Sequence, residues 1–386
     1  MGTIRGKVGL TLLALCWVVQ SGASQAETDY IDVHVHILGT TESGILGNLG
    51  RPGSQPGQKG PGKGGPAQKG PAKKVSGQVQ QENLQLAVEN LIRKMDRHGV
   101  QRALVVVVPS RMPYDLEEKS KREAVMRHPD RLQLMAGGAV LSPFLQKIPP
   151  ERVTEADRSR FRNAAEQVLR DGAVGFGEML SYHLAMADHH SFQYAAPDHP
   201  LFLLLADIAA QRNVPIDLHM EAIVKRRPMP DNLQRASTKN PKTLDPTIPS
   251  FERLLAHTRK ARIVWQHIGW DNTGEMTPQL VGRLMSEHPN LNIALRVERR
   301  LQEVGNGGPM PNRLVDGSGV LKPEWLQVIK KFSDRITIGS DEFFFPIESK
   351  RPNQSFVETW SLLGQLPKEL ANKLGNENPR RIYNLK

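Results

Sequence analysis

Cysteine is nearly missing: Cys16 is the only one in 386 residues. Structural disulfides and thiol catalysis are therefore excluded from everything downstream of it, and any metal would have to be held by His, Asp and Glu. Aromatic residues make up only 5% of the chain and charged residues 24%, an ordinary balance for a folded domain. No apolar run is long enough to span a bilayer. The longest, VGLTLLALCWVV at 8–19, falls short of the roughly 20 residues required.

That run follows Arg5 and Lys7 and precedes SGASQA, with small residues around Ala26. A positive start, a short apolar stretch and a small-residue exit predict a secretory leader over 1–26 and a periplasmic or secreted product. An N-terminal membrane anchor is the competing reading. Cys16 stands where a lipid-modified cysteine would, although Leu15 before it is bulky for that role.

Acidic residues are scarce in one stretch only. The formal charge of +11 includes two charges from the leader, and six more come from Arg51, Lys59, Lys63, Lys69, Lys73 and Lys74. The remainder is only +3. A nucleic-acid partner is not indicated. Segment 47–74 has 14 Gly or Pro in 28 residues and repeats QKGP at 58 and 68, without a sustained collagen period. So little apolar surface cannot offset chain entropy, and a disordered basic insertion is expected over 47–80. It reads either as a passive insertion or as a weak contact with an anionic envelope polymer or lipid.

Downstream, apolar strands and amphipathic helices alternate. Strands are expected at YIDVHVHI (30–37), RALVVVV (102–108), RLQLMAGGAVL (131–141), AVGFGEM (173–179), VPIDLHM (214–220), RIVWQHI (262–268), LNIALRV (291–297) and RITIGSD (335–341). Helices are expected between them, as in ENLQLAVENLIRKMDRHG, and two or three more after 355. Apolar strands without alternation indicate a parallel sheet covered on both faces. Eight such units predict a (β/α)8 barrel, a TIM barrel, with the insertion after strand one and extra C-terminal helices. A doubly wound open sheet is the alternative.

A His-x-His pair such as His34 and His36 means little alone, since 12 His in random order would give about 0.4 such pairs. Placement gives it weight. His34 and His36 share one face of strand one. Glu178, His219, His267 and Asp341 close strands four, five, six and eight. Barrel enzymes build their sites from strand ends at that rim. Six such side chains converging in an apolar mouth would be costly without a counter-charge, and a divalent cation removes the cost.

DVHVHI, GFGEM, DLHME, VWQHIGW, GSDEF and the terminal NPRRIYNL together resemble the metal-dependent amidohydrolase superfamily, closest to its amidohydrolase-related group with decarboxylating members. The resemblance covers nearly everything from Tyr30 except the basic segment. It implies that His34, His36, His219 and His267 are metal ligands, and that Asp341 is a ligand that also takes a proton from the attacking water. Glu178 stands where a common pattern has a carboxylated lysine. A bridging glutamate there resembles two-metal members.

These features imply one or two zinc ions, zinc being the expected divalent metal, and hydrolysis of an ester, lactone, amide or similar bond in a small substrate, an anionic one included. Asp341 would move the proton, and His267 would polarise the substrate if only one ion binds. A mononuclear decarboxylase of a small carboxylic acid is the second reading. A non-catalytic metal- or envelope-binding protein is the third. Arg296, Arg299 and Arg300, the KRR at 225–227 and His183 are candidate substrate contacts, as Arg pairs bidentately with carboxylate or phosphate. His189 and His190 read first as loop residues. Trp265 and Trp270 flank His267 as pocket wall or core.

Overall fold

The structure is a computed structural model. Apart from Gly2, it describes residues 29–39, 77–107, 114–186, 190–298, 310–347 and 354–386. The expected leader, Cys16, the basic segment up to residue 76, His189, Arg299 and Arg300 lie outside the described residues.

Eight parallel strands appear where apolar runs predict them: β1 (Tyr30–Ile37), β2 (Val100–Val106), β3 (Leu132–Gly137), β4 (Gly175–His183), β5 (Pro215–Met220), β6 (Arg262–Ile268), β7 (Leu291–Leu295) and β8 (Ile336–Ile338). A ninth, β9 (Glu342–Phe344), continues from β8. They pair in the order β8-β7-β6-β5-β4-β3-β2-β1-β9. The two ends of that order belong to one stretch of chain, 336–344. Its first part pairs with β7 through Ile293↔Ile336, and its last part pairs with β1 through Val35↔Glu342. The sheet thus curls back on itself as an α/β TIM barrel, and the open-sheet alternative is set aside.

Side-chain alternation sorts the strands into two layers. Ile31, Val33, Leu104, Val106, Met135, Val264 and Ala294 fill the inside, where Ile382, Tyr383 and Leu385 of the C-terminal segment join them. Val35, Val105, Leu134, Phe176, Leu218, Trp265 and Ile293 face outward into the larger cluster shared with the helices. In β1 the register against β2 shifts between Asp32 and Val35. This bulge moves the chain from odd-in to even-in, so His34 and His36 follow Val33 toward the inside.

Several elements differ from expectation, among them β4, which runs from Gly175 to His183 and so holds Glu178 within it, not at its end, and takes in His183. Residues 77–80 belong to helix α1 (Gly77–Arg97), not to the basic insertion. The apolar stripe from Leu84 through Leu91 anchors the helix, and Gln78 Nε2 donates to Glu82 Oε1 at 3.0 Å one turn on, which extends it backwards. Strand β3 stops at Gly137, and Gly138–Lys147 form a helix instead of the strand's end. Gly137 sits at φ 99, a left-handed conformation that ends the ladder, and its N–H goes to the buried Glu118 carboxylate at 3.2 Å. Helix α2 (Tyr114–Val125), YDLEEKSKREAV, is too charged to show an apolar stripe and was not expected. Among the described residues, no helix is long and apolar enough to cross a membrane.

Candidate metal centre at the barrel mouth

All six expected ligand residues meet at the C-terminal rim. On one side, His34 Nε2 stands 3.1 Å from His36 Nε2, and His36 Nε2 is 3.0 Å from Asp341 Oδ1. On the other, His219 Nδ1 and His267 Nε2 each lie 2.7 Å from Glu178 Oε1. Glu178 Oε2 faces the first group, 3.9 Å from His34 Nε2. His267 Nδ1 reaches Asp341 Oδ2 at 3.7 Å, and the His34 and His267 rings are 4.7 Å apart. Ligand atoms of His34, His36 and Glu178, of Glu178, His219 and His267, and of His34, His267 and Asp341 each fall within 4.8 Å of one another.

The donor set fits a cation. His36 Nδ1 lies 3.1 Å from the carbonyl oxygen of Val106, which can only accept. In the neutral ring the proton is therefore on Nδ1, which leaves a lone pair on Nε2. That lone pair faces a carboxylate oxygen and the Nε2 of another imidazole. Acceptors packed this closely in a buried mouth need a positive charge between them. His34 is fully buried and its pKa falls to about 3 through burial, so it too offers a lone pair at neutral pH. Burial alone would raise the Glu178 carboxyl, but His219 and His34 hold it well below its usual range. Burial likewise opposes charge on Asp341, and there the Arg296 guanidinium and His267 outweigh it and push the carboxyl far down.

The backbone is shaped for these side chains. His267 has φ 63 and Asp341 φ 51, left-handed values that non-glycine residues rarely adopt. The other such residues among those described are Asn213, Asn312 and Asn384, which tolerate the region best. Holding two candidate site residues there stores about 1–3 kcal/mol each. Ladder contacts repay it: Asp341 N donates to His34 O at 2.8 Å. Asp32 Oδ1 accepts from both His34 N and Ser340 N at 3.0 Å, which ties β1 to the turn that carries Asp341. Asp32 is fully buried and its pKa rises to about 7, driven by burial. Sequence reasoning missed this clamp. Its only signal is an acidic residue inside an apolar strand.

Of the candidate substrate contacts, Arg296 comes to the site. Its Nη1 pairs with Asp341 Oδ2, and its guanidinium stacks over Trp270, 3.9 Å from the ring centroid. His183 also approaches, its ring 5.1 Å from that of His219. Its Nδ1 donates to Ser191 O at 3.1 Å, and burial together with His219 pulls its pKa down to about 3. The KRR charges do not converge on the centre. Arg226 pairs with Asp245 and Arg227 with Glu275. Trp265 is core, not pocket wall: it packs on Phe251 outside the barrel and donates to Met220 O at 2.9 Å. A residue not foreseen is Phe343, stacked on the His36 ring at 4.5 Å while 39% exposed at the rim.

No curated protein matches the chain. Among solved structures, it is similar to a probable 2-pyrone-4,6-dicarboxylic acid hydrolase from Acinetobacter baumannii, at 14% identity over 92% of this chain and 99% of that one, with a TM-score of 0.45. It is similar to a 4-oxalomesaconate hydratase from Rhodopseudomonas palustris at 12% identity, over 92% and 96% of the two chains, with a TM-score of 0.46. It is similar to a dihydroorotase from Saccharomyces cerevisiae at 11% identity, over 93% and 85%, with a TM-score of 0.47. Likenesses this distant say nothing of substrate. The amidohydrolase family model, by contrast, matches residues 31–385, nearly the whole chain, and spans every ligand candidate from His34 to Asp341. The chain therefore belongs to the amidohydrolase family, whose members are enzymes that generally use divalent metals.

Proposed function

We propose that this enzyme hydrolyses an ester, lactone or amide bond in a small anionic molecule, at a pair of divalent ions, with zinc the first candidate. One observation carries the reading. Glu178 presents one oxygen to His219 and His267 and the other toward His34. A carboxylate placed between two imidazole groups serves two ions better than one.

His34, His36 and Asp341 would hold one ion, His219 and His267 the other, with Glu178 between them. When bound, the pair would supply Lewis acidity, polarising a carbonyl and making water easier to deprotonate. The chain's own groups do the rest. Asp341 accepts the proton from the attacking water and returns it to the leaving group. Asp32 fixes the turn from which Asp341 acts. His183, neutral through burial, lines the side of the mouth next to His219. His267 directs Nε2 at Glu178 and so serves as a ligand. Its role as carbonyl polariser belongs to the one-ion case.

Metal analysis of the purified chain tests the reading. Two equivalents of zinc are expected, with at least one lost in Glu178→Gln. One equivalent in the unaltered chain would favour decarboxylation of a small carboxylic acid at a single ion. None would remove the metal centre altogether. Residues 1–26 are proposed as a secretory leader that takes the enzyme out of the cytoplasm. Finding the unprocessed chain in the cytoplasmic fraction would refute this. The basic segment 47–74 is proposed as a loop touching anionic envelope material, separate from catalysis. Its deletion should leave metal content unchanged.

A further inference from the structure

Resting on the hydrolase reading above, we propose that Arg296 is the docking point for a substrate carboxylate, set beside the bond to be cleaved. The guanidinium has five N–H donors in a flat fork. Asp341 takes Nη1. Nε is buried and meets no acceptor among the described residues. A buried charged donor without a partner is costly, and a ligand oxygen would recover that cost.

The guanidinium is held for that purpose. Trp270 covers one flat face. Arg296 N donates to Ile268 O at 2.9 Å, and Trp270 N donates to His267 O at 2.8 Å. Gly269 joins the two at φ 105, and a Cβ there would lie 2.5 Å from Arg296 O, so only glycine lets the Trp270 turn close on the arginine backbone. Fixed in this way, Arg296 loses little entropy when it binds an anion.

Charge points the same way. Two divalent ions would outweigh Glu178 and Asp341, and Arg296 adds to the surplus. The buried Glu221, whose Oε1 accepts from Asn272 Nδ2 at 2.6 Å, and the Glu342 carboxyl, which feels both Arg296 and Asp341, reduce that surplus without cancelling it. A buried mouth with surplus positive charge favours an anionic occupant. A flat two-oxygen group matches the fork. Because Asp341 touches both Arg296 and His36, a carboxylate docked on Arg296 sits a short spacer away from the ions. The substrate class is then an acid whose scissile ester, lactone or amide carbonyl lies close to its carboxylate.

Calorimetric titration of the zinc-loaded full chain tests this with four probes: malonate, neutral malonamide, inorganic phosphate and azide. Azide requires only the ions. Malonate should bind and malonamide should not. In Arg296→Met, malonate should weaken about tenfold or more, while azide changes by less than about threefold. Equal losses for malonate and azide, or equal binding of malonamide and malonate, would overturn the docking role with the metal centre intact. Phosphate held more tightly than malonate would overturn the carboxylate assignment. If Arg296→Met does not fold, Arg296→Lys carries the test, since lysine keeps the charge but lacks the fork. Malonate should then weaken by roughly threefold or more, and unchanged affinity overturns the proposal. A chain that takes up no zinc overturns the centre itself, and the docking role with it.

Discussion

His36 and Asp341 are 305 positions apart in the chain, yet His36 Nε2 stands 3.0 Å from Asp341 Oδ1. Both atoms are acceptors once His36 commits its Nδ1 proton to the Val106 carbonyl. The barrel brings them together by pairing β1 with the strand that follows Asp341, and the contact makes sense around a cation. The consequences can be measured.

A divalent ion bound at the proposed centre should stabilise the fold. The candidate ligands come from β1, β4, β5, β6 and the turn after β8, and an unfolded chain cannot offer them together. At a hundredfold excess over its dissociation constant, one ion adds about 2.7 kcal/mol. Thermal denaturation with and without a chelator should show a clear drop on metal removal. Superimposable curves would argue against binding at this centre.

Asp341→Asn should abolish turnover without unfolding the chain. Asparagine tolerates φ 51 at least as well as aspartate, so the backbone accepts the change. Loss of a positioned proton acceptor lowers rates by roughly 10²–10⁴. Hydrolysis of a chromogenic ester, followed beside circular dichroism, checks both halves. Retained turnover would refute the proton role.

Tyr383→Phe should weaken the fold and spare the centre. Tyr383 Oη donates to Asp217 Oδ1 at 2.8 Å inside the barrel. Burial holds the Asp217 carboxyl well above its ordinary range. Removing the hydroxyl leaves a buried polar group short of a partner, at a cost of about 1–3 kcal/mol. Chemical denaturation should show this loss, with zinc content unchanged.

Glu118 makes stability depend on pH. Burial raises its pKa from 4.5 to about 7, partly offset by the Gly137 N–H. The folded state then binds the proton more tightly than the unfolded chain. This contribution is complete below the unfolded value near 4.5 and is lost as pH rises through about 7. Glu118→Gln should therefore gain on the unaltered protein at pH 8, by on the order of 1–2 kcal/mol, relative to the difference at pH 5. A constant difference between the two pH values would show that Glu118 is not held protonated.

The barrel was legible because its strands are apolar throughout, a pattern that survives without knowledge of neighbours. The candidate ligands stood out for a related reason: His34, His36, Glu178, His219, His267 and Asp341 are polar residues near the ends of apolar runs in the sequence. Trp265 was ambiguous. Alternation puts it on the same side as His267, but the positive φ at His267 breaks that alternation, and Trp265 faces outward. The helix at Gly138–Lys147 read as strand because GAVL is as apolar as a strand, and only the turn at Gly137 ends β3.

By itself the sequence determined which residues are apolar, with what period, and which ionisable groups interrupt them. Those properties are local, and they suffice for a family, a barrel and a set of candidate ligands. Tertiary structure alone decided that Glu178 faces two groups at once, that Asp32 clamps the turn of Asp341, and that Arg296 is shared between Asp341 and Trp270. Each of these depends on the relative placement of strands far apart in the chain. That placement is set by how the barrel closes and where its register shifts, which no single segment encodes.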